Sequence, residues 1–419
     1  MEFSRLKEIL TTHKKEFGTK IKFTKEQEKY IKPRAKTWQR VRGVAGSGKT
    51  LIVCERAARL ASLNKKVLII CHNRTLKNHL KWHLENSYNN YTKDNIKIFY
   101  FDNFLRSFLK ENGVKENEIS KENYEKSFNF CILKTKEFLD NSINIQGRKY
   151  DAILIDEAQD LQQECFEILI KFLTKNDEVL VVADEKQNLR DRDLSWLDNK
   201  AYKFDSKWGN LEKQNLRQHK FPGIILKANE FAREFFKDDI FSENEIKEQK
   251  ERLDFARLLW CDYALSFINE DYYIWAEEIF SAYIFLRYSG FENKDITILV
   301  ATKEDGKGVV KYFEEKKFDE QKIDIIHTLD SYAKDEFSLS ADAVKVSTVD
   351  SFKGLESKAV IFINRPRKEK DEKLFFVALT RATEFFIVFN CVEGHKKFGK
   401  SWENFYKNLE KFVKTNNIN

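Results

Sequence analysis

Apolar positions along the chain fall into two blocks. In the first, the runs Val67–Ile70, Ile96–Tyr100, Ala152–Ile155 and Val179–Ala183 are short and rich in β-branched residues. Such runs read as strands buried on both faces. Trp38–Val41 reads as a further strand. Thr50–Ser62 and Thr75–Leu84 place apolar residues at helical spacing between them. Strands alternating with helices predict a parallel α/β sheet. A second block begins near Gln214, with strands at Ile296–Ala301, Val344–Ser347, Ala359–Asn364 and Phe385–Asn390. Its helices read as Pro222–Phe236, Ile274–Arg287 and Gly308–Lys317. The expectation is an α/β chain of two domains, 1–210 and 211–419, with the boundary near residues 205–215. Arg106–Lys149 is charged and helical and reads as a short insertion into the first domain. Ser401–Thr415 reads as a C-terminal amphipathic helix.

Composition narrows this only slightly. Only 14 Gly and 3 Pro in 419 residues argue against long disordered linkers. The net charge of +7 suits a polyanionic partner without specifying one. The cysteines (Cys54, Cys71, Cys131, Cys165, Cys261, Cys391) form no CxxC pair, so a zinc site is not expected. Their place in apolar runs suggests small core residues in a reducing cytosol. Met1–Lys22 lacks an apolar signal core and no stretch is long enough to span a membrane, so the expectation is a cytoplasmic protein without membrane contact.

Gly43-Val44-Ala45-Gly46-Ser47-Gly48-Lys49-Thr50 follows a strand and opens a helix. That is the setting of a phosphate-binding Walker A loop. Glycines let the backbone close on phosphate, and successive N–H groups and the helix N-terminus point at its oxygens. Lys49 is placed for the β and γ phosphates, and Thr50 for magnesium. Asp156 and Glu157 end the run Ala152–Ile155. Alone, an acidic strand end reads as a solvated edge. Beside a phosphate loop, the pair becomes a magnesium ligand (Asp156) and a general base for the attacking water (Glu157).

At Asp156-Glu157-Ala158-Gln159-Asp160 the sequence resembles motif II of UvrD/Rep-like superfamily 1 helicases, and further motifs follow in the family's order. Gln27 looks like the glutamine that reads adenine. Leu68–Leu80, with His72 and Asn73, resembles motif Ia, a single-strand contact. Phe101-Asp102-Asn103-Phe104 sits where another strand-contacting motif is expected. Ala183–Gln187 resembles motif III, with Gln187 sensing the γ-phosphate. Asn215-Leu216-Arg217 resembles motif IV, Thr348–Glu356 motif V (Thr348, Ser351, Gly354 and Glu356), and Val377–Ala382 motif VI, with Arg381. The resemblance implies two RecA-like P-loop NTPase domains with parallel sheets. It also implies ATP and Mg2+ held between them, with Arg217 and Arg381 reaching the phosphates. The strand would be single-stranded DNA, with RNA as the alternative, held by His72, Asn73, Phe101, Phe104, Trp196, Thr348 and Ser351; His72, Phe101, Phe104 and Trp196 are offered as aromatics that could stack bases, and core packing accounts for each of them equally well. The DEAQD form resembles the branch that moves 3′ to 5′.

Some positions depart from the family. Leu216 stands where a tyrosine usually stacks on adenine, Asp350 where a histidine is usual, and Ser357 where an aromatic commonly follows the motif V glutamate. Between Phe313 and Val344 there is room for a loop or small helix, so the large second-domain insertion of many relatives is expected to be missing. A second reading is therefore an ATP-driven regulatory subunit of a nuclease or phage-defence complex that does not move processively. A third, a guanine-nucleotide switch suggested by Asn293-Lys294-Asp295, fails because the aspartate comes one residue early.

Overall fold

A computed structural model describes residues 23–85, 87, 91–119, 123–141, 145–184, 187–189, 192–205, 207–211, 222–237, 258–263, 272–366, 371–404, 407–408 and 410. Contacts divide the chain into two units, one of Phe23–Glu212 and one holding Lys213–Asn419.

The first unit runs α1 (Lys25–Ile31), β1 (Trp38–Arg42), α2 (Lys49–Ser62), β2 (Val67–Cys71), α3 (Arg74–Glu85) and β3 (Ile96–Tyr100). It continues α4 (Phe101–Glu111), α5 (Glu116–Ile119), α6 (Tyr124–Asp140), β4 (Tyr150–Ile155), α7 (Gln163–Ile170), β5 (Leu173–Ala183) and β6 (Gly209–Asn210). The sheet order is β3-β2-β4-β5-β1-β6, with every pairing parallel. β2 is buried along its whole length, as its unbroken apolar run predicts. The expected insertion is helical, supplied by α4 to α6. It packs its apolar face into the core that Phe104, Phe108 and Phe172 share.

Helix α2 is fixed to the sheet by a buried ion pair. Arg56 Nε donates to Glu178 Oε1 at 2.6 Å, and Arg56 also donates to Gln39 Oε1 and the Tyr30 carbonyl. Both side chains of the pair are almost wholly buried. Removing one partner of such a pair typically costs about 3–5 kcal/mol, because the other charge is left uncompensated. The pair thus seats the helix that begins at the phosphate loop.

The second unit has α8 (Pro222–Phe231), β7 (Leu258–Asp262), α9 (Tyr272–Tyr288), β8 (Ile296–Val300), α10 (Lys303–Glu314), β9 (Lys317–Phe318) and β10 (Gln321–Lys322). Then come β11 (Ile325–His327), α11 (Ser331–Glu336), β12 (Val344–Thr348), α12 (Val349–Phe352), β13 (Ser357–Asn364), α13 (Asp371–Leu379), β14 (Ala382–Asn390), α14 (Lys396–Gly399) and β15 (Glu403–Asn404). Its main sheet has the order β11-β12-β8-β13-β14-β7-β15, again parallel throughout. The unit is built on the same plan, so the chain is an α/β protein with two RecA-like domains. Phe313 to Val344 holds the β9–β10 hairpin, a short strand and one helix.

Helix α10 starts at Lys303, earlier than the pattern predicts, because Thr302 and Asp305 form a capping box. The expected helix from Ser401 gives way at its start to an edge strand, Glu403–Asn404 beside Leu259–Trp260, and 411–415 lie outside the described residues. Among the described residues no helix is long and apolar enough to cross a membrane.

Candidate functional site

The phosphate loop joins β1 to α2. Gly46 and Gly48 adopt φ of 78° and 86°, the left-handed region that L side chains rarely enter. A Cβ on Gly48 would lie 2.4 Å from Gln27 Nε2, and one on Gly43 2.4 Å from Ser47 Oγ. Gly48 therefore meets both demands, room and backbone freedom, while Gly43 answers to room and Gly46 to backbone freedom. The Ser47 hydroxyl is buried without a hydrogen-bond partner. Lys49 Nζ donates to the carbonyls of Gly43 (2.7 Å) and Val44 (2.9 Å) and pairs with Asp184 Oδ2 at 3.2 Å. The sheet order explains this last contact: β5, which ends at Ala183, lies directly beside β1.

β4 flanks β5 on its other side and delivers Asp156 and Glu157 to the same edge. Asp156 Oδ1 accepts from the Glu157 N–H at 3.0 Å, while its Oδ2 is buried without a partner. Burial raises the Asp156 pKa well above the usual carboxylate range, and the Glu157 charge adds to this. The Thr50 hydroxyl and Lys49 oppose the shift. An orphaned carboxylate oxygen beside a hydroxyl fits a divalent cation, which would restore the charged form. No cluster of three or more His, Cys, Asp or Glu side chains is placed to hold a metal among the described residues. Magnesium can be held by one or two protein oxygens alongside phosphates and water.

Glu157 takes φ 56°, ψ 46°, a left-handed backbone rarely adopted by a glutamate and one of the strained conformations that cluster at functional sites. Gln159 holds it there: Gln159 Nε2 donates to Glu157 Oε2, and Gln159 Oε1 accepts from the Asp184 N–H at 2.9 Å. Gln187 Nε2 donates to Asp184 Oδ2 at 2.6 Å. Lys49, Asp184, Gln187, Gln159 and Glu157 thus form one hydrogen-bonded chain. Gln159 and Asp184 lie inside the motif-like strings, but nothing local in the sequence marks either for this role. Gln27 is spent locally, as its Oε1 accepts from Thr24 N–H and its Nε2 donates to the Ser47 carbonyl at 3.0 Å.

The expected strand-contacting residues divide. His72 and Phe101 line a cavity of about 370 Å³ that also reaches Asp102, Asp156, Glu157 and Arg192. Asn73 caps α3, its Oδ1 accepting from Leu76 N–H at 2.7 Å. Phe104 and Trp196 lie in the core, Phe104 edge-on to Phe172 and Trp196 against Phe166, so neither presents a ring face to solvent.

In the second unit Thr348 caps α12 and bonds Ser351, Gly354 has φ 82°, and Glu356 is exposed. Arg381 is buried and donates to the carbonyls of Val377 and Leu355. Arg217, with Asn215 and Leu216, lies outside the described residues, as do Glu185 and Lys186.

The family model described as Schlafen group 3, DNA/RNA helicase domain, matches residues 36–220. The one described as viral superfamily 1 RNA helicase core domain matches residues 290–390. No curated protein matches the chain. The first match spans the phosphate loop, Asp156–Asp160 and Asp184–Gln187, and the second spans Thr348–Glu356 and Arg381. Together the two matches support a superfamily 1 helicase.

Proposed function

We propose that the chain is an ATP-hydrolysing translocase on single-stranded nucleic acid, of the UvrD/Rep-like kind and moving 3′ to 5′. The observation that carries this reading is the hydrogen-bonded chain from Lys49 through Asp184 and Gln159 to Glu157. It ties the phosphate-binding lysine to the carboxylate best placed as a base.

In this reading Lys49 exchanges its loop carbonyls and Asp184 for the β and γ phosphates. Thr50 and Asp156 hold magnesium, which supplies charge neutralisation at the phosphates. Glu157, aimed by Gln159, accepts the proton of the attacking water. Gln187, now on Asp184, is positioned to respond when Lys49 leaves that carboxylate. The resemblance also assigns Arg217 and Arg381 to the charge that develops on phosphate, a role worth about 10³–10⁵ in rate elsewhere, for which Arg381 would have to leave the carbonyls of Val377 and Leu355. His72 contacts the strand in a cavity it shares with Glu157, which gives strand binding a short route to hydrolysis; Phe101, which lines the same cavity, is buried in the core edge-on to Phe128 and backs that wall.

The strand is DNA in the UvrD/Rep-like reading, while the matched family models name DNA/RNA and RNA, so both polymers belong in the test. Steady-state ATP turnover is measured with and without single-stranded DNA and RNA oligonucleotides, in wild type, Lys49→Ala and Glu157→Gln. Strand-stimulated turnover, lost in both variants with ATP binding kept in Glu157→Gln, is the expected result. Near-normal turnover in Glu157→Gln overturns the assignment of the base. Turnover that no strand stimulates favours the regulatory-subunit reading.

A further inference from the structure

β3 is the edge strand of the first sheet, and α3 packs beside it. Between them lies an open groove of about 390 Å³, in the size range of ligand sites. Lys77 and Lys81, one helical turn apart on α3, line it with Lys97 on β3 and Lys93 in the turn that leads into β3. Tyr91 and Phe99 line it as well, the Phe99 ring packed edge-on against Phe104 with Lys77 Nζ over it at 5.8 Å, so that a base stacking there displaces the ammonium, and among the described residues Glu85 supplies its one carboxylate. Lys81, Lys93 and Lys97 are exposed, and no ion pair to any of these three is found among the described residues. At the start of α3 and the end of β3, the Arg74 guanidinium lies over the Tyr100 ring at 5.2 Å.

A lone lysine on an edge strand guards against unwanted strand addition, and Lys97 by itself would need no other account. Four lysines from a helix, a turn and a strand converging on one concave surface, with rings on that surface, go further. Ammonium groups that track phosphates and aromatic faces that stack bases are how single strands are held without sequence preference.

We propose that this groove binds single-stranded nucleic acid, extending the strand's path from the cavity lined by His72 and Phe101 along the open edge of the first sheet. This rests on the reading of the chain as a strand-binding motor. The groove lies apart from every motif that the resemblance supplied except the C-terminal half of the motif Ia segment, and α3 between Lys77 and Leu84 spans roughly 10 Å of it at 1.5 Å per residue.

The test combines Lys81→Gln, Lys93→Gln and Lys97→Gln in the full chain. Affinity for fluorescein-labelled oligo-dT and oligo-U of increasing length is read by anisotropy across a salt series. A charge-matched control carries Lys200→Gln, Lys317→Gln and Lys322→Gln. Each phosphate contact contributes about 0.7 to the salt slope for single strands, so losing three should flatten the slope by about 2. Affinity for long oligonucleotides should fall about tenfold or more at low salt, given contacts of that number. The control should keep its slope, and arginine at the same three groove positions should restore binding.

A groove variant that matches the control at every length overturns the proposal. Unchanged binding together with new self-association on size exclusion overturns it in favour of the guarding role. A wild type that neither binds strands nor is stimulated by them fails the motor reading itself. A stimulated wild type with an unaffected groove variant fails the groove alone.

Discussion

Gln159 offers the sharpest test of how the site is held together. It is wholly buried, its Nε2 donates to Glu157 Oε2, and its Oε1 accepts from the Asp184 N–H at 2.9 Å. Gln159→Leu keeps similar bulk and removes both bonds. The Asp184 amide and the Glu157 carboxylate each lose a partner in a buried setting. A lost hydrogen bond costs about 0.5–1.5 kcal/mol, and about 1.5–3 kcal/mol where it meets a charged group, so the pair should cost about 2–5 kcal/mol. For a domain of this size each kcal/mol moves the melting temperature by about 2–4 °C, which gives a fall of about 4–20 °C. Turnover should fall about 10²-fold, the scale of a roughly 1 Å misplacement of a catalytic group. Glu157→Gln should instead lose turnover with little loss of stability, since an amide can still meet Gln159. Gln159→Glu keeps the acceptor for Asp184 but sets carboxylate against carboxylate, so its stability should recover as acid protonates one of them. Urea melts followed by circular dichroism, together with steady-state ATP turnover, read all three variants. If Gln159→Leu melts within about 0.5 kcal/mol of wild type, the range of a neutral surface change, and turns over normally, the bridge carries no weight.

Two further outcomes follow from the geometry. His395 Nδ1 faces Asn364 Nδ2 at 3.0 Å among the rings of Phe231, Phe235 and Phe375, and burial pushes its pKa down to about 4. The folded form then binds fewer protons than the unfolded form between about pH 4 and 6.5, so stability is full above 6.5 and is lost as pH falls toward 4. Urea unfolding at pH 7 and pH 5 should show that loss in wild type and a smaller one in His395→Gln, and equal losses would reject the account. Gly48→Ala places a methyl 2.4 Å from Gln27 Nε2 on a backbone of φ 86°. About 1–2 kcal/mol of left-handed strain should remain even with Gln27→Ala added. Calorimetric titration with a non-hydrolysable ATP analogue should show weak binding in the single variant and partial recovery in the double, whereas wild-type affinity in Gly48→Ala would show that the loop tolerates a side chain there.

What could be read from sequence was what is local. The phosphate loop is a contiguous string whose glycines announce their own backbone, and strands such as Val67–Cys71 announce themselves because both faces are buried. The first half of β5, Leu173–Glu178, carries polar residues and becomes a strand only through Tyr150 and Ala152 on β4. β7 was missed for a related reason: its short run Leu258–Cys261 has no helical pattern beside it and finds its partner in β14. The contacts that assemble the site were equally hidden. Gln159 meets Asp184 across 25 residues, and Lys49 meets Asp184 across 135. Aromatic rings misled for a different reason, since Phe104 and Trp196 suit a base or a core equally well, and only packing decides.

Gln27 joins these two levels. Resemblance assigns its amide to adenine, but both ends of that amide are occupied, one capping α1 and the other holding the Ser47 carbonyl of the phosphate loop. To read a base it must give up one of these bonds or use a remaining lone pair or N–H. Base recognition and the shape of the phosphate loop are then coupled through a single side chain. Under the proposed role of Lys49, leucine at position 216 in place of a stacking ring would leave phosphate contacts, which are blind to the base, as the larger share of nucleotide affinity.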